Sequence, residues 1–274
     1  MNLSSLVHQV LPAECENEIN DYLLFRRYKL LLHFNLQLKN KYSGASCFVI
    51  GNGPSLLSHD LKLLQNKYTF VVNFFCLHRH FSVVNPKFYM ILDPVVLTRP
   101  LQYSHFIPYI NKARNIKTQF LFSAHNHDFI ESRHLLPRFP KYYFLGHLSR
   151  ERTKPLNDFQ PQYLIPFSDF TTGFSLLMAG YMGFKTIFII GNDLNLIDGE
   201  SHFYPEFRQH DGDHYLLYKR PVSERAAILA STLNKLSIIK KHLLSLNIRI
   251  YNATPGGYLD IFPRLSYQEA VRKS

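Results

Sequence analysis

The chain has 274 residues, of which 46% are hydrophobic, including 23 Phe and 17 Tyr, and this composition excludes an intrinsically disordered protein. Its formal net charge of +11 predicts an acidic partner, and charge alone leaves a nucleotide, a phospholipid surface, an anionic glycan and a nucleic acid as candidates. The basic residues are scattered instead of forming a stripe, so no nucleic-acid partner is predicted.

The N-terminal segment is predicted to form an amphipathic basic helix over residues 21–42, because its apolar residues recur at helical spacing. Such a helix either packs against one side of a sheet or attaches to an anionic bilayer, and both interpretations stay open. We therefore expect a helical segment at residues 1–44, followed by a separate folded domain at residues 45–274.

From Cys47 onward, strands and helices alternate, which predicts an α/β, Rossmann-like fold with a largely parallel sheet and helices on both faces. The strands are predicted at residues 47–51, 68–75, 87–93, 118–124, 141–146, 185–191 and 248–254. Helices are predicted at residues 171–184 and 223–246, the second with Ser223 as its N-cap. In such sheets, ligands bind at the carboxyl ends of the strands, near the point where the strand order reverses.

The first strand ends in the sequence GNGPS, which predicts a tight loop followed by a helix. Gly51 and Gly53 let the backbone turn and approach a ligand, Ser55 is a natural N-cap, and the next amides favour an anion. Leu56 stands where the dinucleotide fingerprint needs its third glycine, and no P-loop lysine follows, so hydride transfer and P-loop chemistry are disfavoured. A tight turn without any ligand stays open.

Small polar residues also stand at or near the ends of three other predicted strands. The second strand provides Asn73, the third provides Asp93, and the sixth is followed by Asn192 and Asp193. A carboxylate such as Asp93 suits a ribose hydroxyl, a substrate amine or a divalent cation, although a helix cap explains it equally well.

The sequence TTG at Thr171, Thr172 and Gly173 opens the helix predicted at residues 171–184. Hydroxyl groups beside first-turn amides suit a phosphate or a carboxylate. Threonine would also satisfy a helix start without a ligand, so a simple cap stays open.

The segment at about residues 195–222 is polar and aromatic, which favours a substrate loop or lid. His202 and His214 are candidate general bases, since imidazole titrates near neutrality. None of the 14 histidines stands in a spacing typical of a metal site, so no metal ligand is predicted.

The three cysteines have no CxxC spacing and are too few for a disulfide framework, so we expect reduced core residues of a cytoplasmic protein. The first residues lack the apolar region of a signal peptide, and no apolar run reaches the roughly 20 residues that span a bilayer. A soluble protein, or one on a membrane surface, is therefore expected.

Several segments together resemble a known group of proteins: GNGPSLL, VVNFF, NPKFYMILDP, TTGFSLLMAGYMGFKTIFIIGNDLN and YNATPGGYLD. The group unites Maf-type flagellin glycosylation proteins, hydroxymethylpterin pyrophosphokinase-like proteins and bacterial CMP-sialic acid sialyltransferases. The resemblance covers roughly residues 45–270.

The resemblance implies a variant Rossmann-like glycosyltransferase of GT-A-like type that takes an acidic sugar from a CMP-activated donor and needs no metal or other cofactor. It places the donor at residues on four strand ends and one helix start: Gly51, Asn52, Gly53, Ser55, Asn73, Asp93, Thr171, Thr172, Gly173, Asn192 and Asp193. In the sialyltransferases a histidine deprotonates the acceptor and tyrosines assist the departing phosphate. His214 or His202 would be that base here, with Tyr204 and Tyr218 as the tyrosines.

The sequence departs from the sialyltransferase pattern at Asp169, where an arginine is expected, and at Asn195, where a tyrosine is expected. The implied sugar is therefore sialic acid, another nonulosonic acid or a Kdo-like acid. The implied acceptor is an anionic surface glycan such as lipopolysaccharide, or a lipid-linked one. The implied location is the cytoplasm, with peripheral contact at the inner membrane, and a homo-oligomer stays open.

Two other functions remain open at this point. A pyrophosphokinase of the pterin type would transfer pyrophosphate from ATP, with Asp93 and Asp193 holding Mg²⁺. A non-catalytic nucleotide-binding partner in an assembly is the third.

Overall fold

The computed structural model describes residues 13–92, 97, 106–108, 110, 117–146, 156, 159–165, 170–198, 202–204 and 220–274.

The described strands form one eight-stranded sheet, and each of its neighbouring pairs is parallel. In chain order the strands are β1 Ser46–Ile50, β2 Thr69–Val72, β3 Phe88–Ile91, β4 Gln119–Ser123, β5 Lys141–Gly146, β6 Leu164–Ile165, β7 Thr186–Ile190 and β8 Arg249–Asn252. Their residues are almost continuously apolar and buried, as expected for strands that are covered on both faces. The predicted α/β, Rossmann-like fold is confirmed.

The strand order is β6-β5-β4-β3-β2-β1-β7-β8, so the direction in which strands are added reverses between β1 and β7. Loops that follow β1 and β7 therefore flank the position where open parallel sheets bind their ligands. The GNGPS loop and the Asn192-Asp193 pair are the segments that lie there.

Helices cover both faces of the sheet. They are α1 Ala13–His33, α2 Phe81–Val84, α3 His127–Ser132, α4 Thr171–Tyr181, α5 Val222–Ser245 and α6 Tyr267–Lys273. One core layer joins α1 and α6 to alternate strand residues such as Phe48 and Ile50. The other joins α4 and α5 to the residues between them, such as Val49. None of these helices, within the described part of the chain, is long and apolar enough to cross a bilayer.

Helix α1 differs in position from its prediction. It begins at Ala13 and ends at His33, and a 3-10 helix, Phe34–Leu38, follows it, whereas the prediction was residues 21–42. Its inner residues Tyr28 and Leu32 belong to the core layer on one face of the sheet, so this helix packs against the domain.

Three smaller features of the structure differ from the sequence-based expectations. The short edge strand β6 was not predicted, because two paired residues leave no recognisable pattern. Helix α5 begins one residue before Ser223, and its N-cap is Pro221, whose extended conformation sets the start without a side-chain hydrogen bond. Of the cysteines, Cys47 and Cys76 are buried as expected, but Cys15 is exposed on α1.

Candidate functional site

The loop after β1 packs directly against the loop after β7. The amide of Gly53 donates a hydrogen bond of 2.7 Å to the carbonyl of Gly191. A Cβ atom at Gly51 would lie 2.4 Å from that same carbonyl oxygen, and one at Gly53 would lie 1.7 Å from the carboxylate of Asp193. Gly51 and Gly53 therefore allow the loop after β1 to pack closely against the loop after β7.

Ser55 binds the carboxylate of Asp193. Its backbone amide donates to Oδ1 at 3.2 Å, and its hydroxyl donates to Oδ2 at 2.8 Å. The predicted N-cap role of Ser55 is wrong, because the chain after Gly53 forms only a 3-10 helix, Pro54–Ser58, for which Gly53 is the N-cap. The hydroxyl joins two loops instead.

Asp193 therefore occupies the position in which the sequence predicted a phosphate. Its side chain is only 5% exposed. Burial raises the pKa of its carboxyl group above the ordinary value, and the hydrogen bonds from Ser55 oppose that shift. An acidic side chain at the backbone amide of Ser55 fills a position that favours an anion.

Three asparagine side chains at the same edge carry buried atoms that have no hydrogen-bond partner among the residues that the structure describes. These atoms are Oδ1 of Asn52, Oδ1 of Asn73 and Nδ2 of Asn192. Asn52 and Asn192 are each 7% exposed. A ligand or an ordered water can supply the partner that such a buried polar atom needs.

The geometry brings these asparagines together. Nδ2 of Asn52 donates to the carbonyl of Val72 at 3.1 Å, next to Asn73 in the chain. The Cα of Asn192 lies 3.4 Å from the position that a Gly51 Cβ would occupy. We call Asn52, Asn73 and Asn192 the amide cluster.

Asn73 is held in an unusual conformation. Its φ of 43° is left-handed, which asparagine adopts more readily than most residues. The hydroxyl of Tyr89 donates to the Asn73 carbonyl at 2.5 Å and accepts from the amide of Cys76 at 3.0 Å. The buried Tyr89 thus fixes the direction of the chain after β2.

Residues 202–204 lie against the amide cluster. The amide of Phe203 donates to the carbonyl of Asn52 at 2.8 Å. The ring of His202 stacks on Tyr204 at 4.8 Å, and Tyr204 contacts Phe74, the residue after Asn73. The structure therefore brings the predicted His202 and Tyr204 to the edge formed by the loops after β1 and β2.

Helix α4 begins at Thr171, as predicted. Because α4 leads back to the start of β7, its first turn lies at the carboxyl edge of the sheet, where Thr172 is 7% exposed. Gly173 has no room for a side chain, since a Cβ would lie 2.4 Å from the ring of Phe170. The first amides of a helix have no partner within it, so this turn can bind an anion.

Asp93, His214 and Tyr218 lie outside the described residues, as does most of the predicted lid at about residues 195–222. Within the residues that are described, no group of three or more His, Cys, Asp or Glu side chains is arranged to hold a metal ion.

The segment after β8 is part of the same edge, although none of its residues was predicted to belong to the site. The amide of Tyr258 donates to the carbonyl of Asp193 at 2.8 Å, and the Thr254 hydroxyl accepts from the amide of Asn192 at 3.3 Å. Arg264 donates to the carbonyls of Gly256 and Gly257. The sequence signal for this turn was the pair of adjacent glycines, Gly256 and Gly257, and both adopt a positive φ in the structure.

Acidification is expected to destabilise the region beside residues 202–204. His78 is 3% exposed, and its ring contacts Phe203 at 5.3 Å. Burial, followed by the charges of His80 and Arg79, lowers the pKa of His78 from 6.5 to about 4. As the pH falls, the unfolded chain therefore binds this proton at a higher pH than the folded protein does. The unfolding free energy that neutral His78 contributes is fully present above pH 6.5 and is lost as the pH falls towards 4.

The expected loss over that range is about 3 kcal/mol of unfolding free energy, since each pKa unit corresponds to about 1.4 kcal/mol. Urea unfolding at several pH values would measure it. The variant His78→Phe keeps the ring contacts but cannot titrate, and it should lose about 3 kcal/mol less than the parent. An equal loss in both proteins would contradict the assignment.

Comparisons of the chain with protein-family models, with curated proteins and with solved structures found no match.

Proposed function

We propose that this protein is a glycosyltransferase that moves an acidic sugar from a CMP-activated donor to an anionic or lipid-linked surface glycan. The observation that carries the proposal is the amide cluster, whose buried and unpartnered atoms lie where the strand order reverses. Beside it stand an imidazole and a phenol, from His202 and Tyr204.

The chemistry of the amide cluster favours a nucleoside. Amide side chains supply neutral acceptors and donors, which match the carbonyl and amino groups of a pyrimidine base. The amide and the hydroxyl of Ser55 already bind Asp193, so the donor phosphate and the sugar carboxylate are assigned to the first turn of α4, at Thr171 and Thr172. The positive net charge attracts such anionic substrates.

The proposed transfer needs a base and a leaving-group donor. The bond between the anomeric carbon and the CMP phosphate oxygen breaks, and the acceptor oxygen forms a new bond to that carbon. The acceptor proton passes to His214 or His202, while Tyr204 and Tyr218 donate hydrogen bonds to the departing phosphate.

Pyrophosphoryl transfer from ATP is disfavoured by the contacts of Asp193. That function needs Asp193 as a magnesium ligand, but both of its carboxylate oxygens accept hydrogen bonds from Ser55 in a buried position. A metal ion there would have to share these buried oxygens with the hydrogen bonds from Ser55.

Ligand-induced thermal stabilisation tests the proposed donor. We expect CMP to raise the melting temperature more than CDP, UDP, GDP or ATP with Mg²⁺, since a ligand that binds only the folded state stabilises it by about 2.7 kcal/mol at one hundred times its Kd. The variant Asn192→Ala should lose most of that shift, because it removes one member of the amide cluster.

The matched control is Asn85→Ala, which lies just before β3 at the opposite edge of the sheet and should keep the full CMP shift relative to its own baseline. A shift with ATP and Mg²⁺ alone would overturn the proposal in favour of the pyrophosphokinase. CMP binding without transfer to any glycan acceptor would support the non-catalytic partner.

A further inference from the structure

Helix α1 presents a row of large apolar side chains to solvent. Ile19, Leu23 and Leu30 on α1, and Phe34 at the start of the 3-10 helix that follows it, are spaced four, seven and four residues apart. They are 39%, 57%, 74% and 55% exposed, respectively. Spacings of this kind place the side chains on one face of a helix. We call these four residues the outer row.

The opposite side of α1 is fixed to the domain, so the outer row is not available to the core. Leu32 is fully buried, and Tyr28 is 5% exposed against the sheet. Just beyond the helix, Nδ2 of Asn35 donates to the carbonyls of Tyr143 and Pro161 at 2.8 Å and 2.7 Å. The outer row thus sits on a rigid support and faces away from it.

Basic residues accompany the outer row. Arg26 lies within it, between Leu23 and Leu30, and Lys29 is exposed at its side. Arg27 is also exposed, although Asp128 pairs with it. The only carboxylate between residues 19 and 41 is that of Asp21, which is buried. From Ile19 onward the face is therefore apolar and positively charged, whereas Glu16 and Glu18 precede it on the same helix.

This combination fits a lipid surface better than a second copy of the chain. In a dimer whose two outer rows packed together about a two-fold axis at their centre, Arg26 of one copy would face Arg26 of the other. Burying two like charges in an apolar contact is unfavourable. At a bilayer, an arginine extends its charged end to the headgroups while its stem stays among the apolar side chains.

We propose that the outer row of α1, with Arg26 and Lys29, binds the surface of an anionic lipid bilayer. The helix lies in the plane of the interface, with its leucines and Phe34 among the acyl chains and its cations at the phosphates. This proposal is independent of the CMP-sugar chemistry, since it concerns a different face and is tested without a substrate.

The test is co-sedimentation of the full chain with vesicles. We expect binding to vesicles of equal parts phosphatidylcholine and phosphatidylglycerol, weaker binding at high salt, and little binding to phosphatidylcholine alone. The double variant Leu23→Ser with Leu30→Ser should bind at least about tenfold more weakly, because it removes two insertions. Each of Arg26→Gln and Lys29→Gln should weaken binding about fivefold.

The control is Leu244→Ser on helix α5, where a leucine of similar exposure, 50%, lies outside the outer row. It should bind vesicles like the parent. Absence of vesicle binding, or binding that the Leu23→Ser with Leu30→Ser variant retains, overturns the proposal. So does a concentration-dependent dimer that this double variant abolishes, since the occupant of the face would then be a second copy.

Discussion

Replacing Gly51 by alanine is expected to lower the unfolding free energy by about 3 kcal/mol, the upper part of the range for overpacked positions. The added Cβ would lie 2.4 Å from the carbonyl oxygen of Gly191 and 3.0 Å from its carbonyl carbon. Because these are backbone atoms, no change of side-chain rotamer relieves the overlap. The ends of β1 and β7 would have to move apart.

Chemical denaturation measures this effect, and Gly44→Ala provides the comparison. Gly44 has a φ of +83° but no atom within 4 Å of its would-be Cβ, so alanine there meets only backbone strain of about 1 kcal/mol. If Gly51→Ala proved no more destabilising than Gly44→Ala, the tight contact between the two loops would be refuted.

His214→Ala is expected to reduce sugar transfer by about a hundredfold or more while leaving the CMP-induced thermal shift unchanged. A positioned general base contributes about 10²- to 10⁴-fold to rate, and its removal should leave the donor contacts intact. Initial rates with a CMP-sugar and a glycan acceptor, beside thermal shifts with CMP, separate these two effects.

His202→Ala is the matched variant. His202 stacks on Tyr204 next to the backbone contact between Phe203 and Asn52, so its removal should disturb donor binding as well as turnover. Undiminished transfer in His214→Ala would assign the base elsewhere. A hundredfold loss in His202→Ala with unchanged CMP binding would assign it to His202.

The fold could be predicted because its signals are local. Each of the seven predicted strands overlaps a strand of the structure, from the apolar run at Cys47 to the one ending near Asn252, since a strand covered on both faces is apolar along its whole length. The edge strand β6 was missed because its pairing is set by its neighbour β5 instead of its own composition.

The candidate site could be predicted only in part, because its contacts join distant segments. The loops after β1, β2 and β7 were selected from their polar residues, and the structure brings them to one edge. Ser55 binds Asp193, 138 residues away, because β1 and β7 are neighbours in the sheet. No local sequence pattern encodes that pairing. The hydrogen bond from Tyr89 to the carbonyl of Asn73 could not be predicted for the same reason.

Helix α6 and the residue after it are hydrogen-bonded to the segment between β1 and β2, so these contacts form only after most of the chain has been made. Tyr267 donates to the carbonyl of Asp60 at 3.0 Å, and Lys67 donates to the main-chain oxygen of Ser274 at 2.6 Å, each across 207 residues. Strand β7, which neighbours β1, is likewise made late during synthesis. Contacts of such sequence separation slow folding. The amide cluster therefore stays incomplete until β7 emerges, and a nascent chain that ends earlier exposes the edge of β1 to chaperones and to other chains.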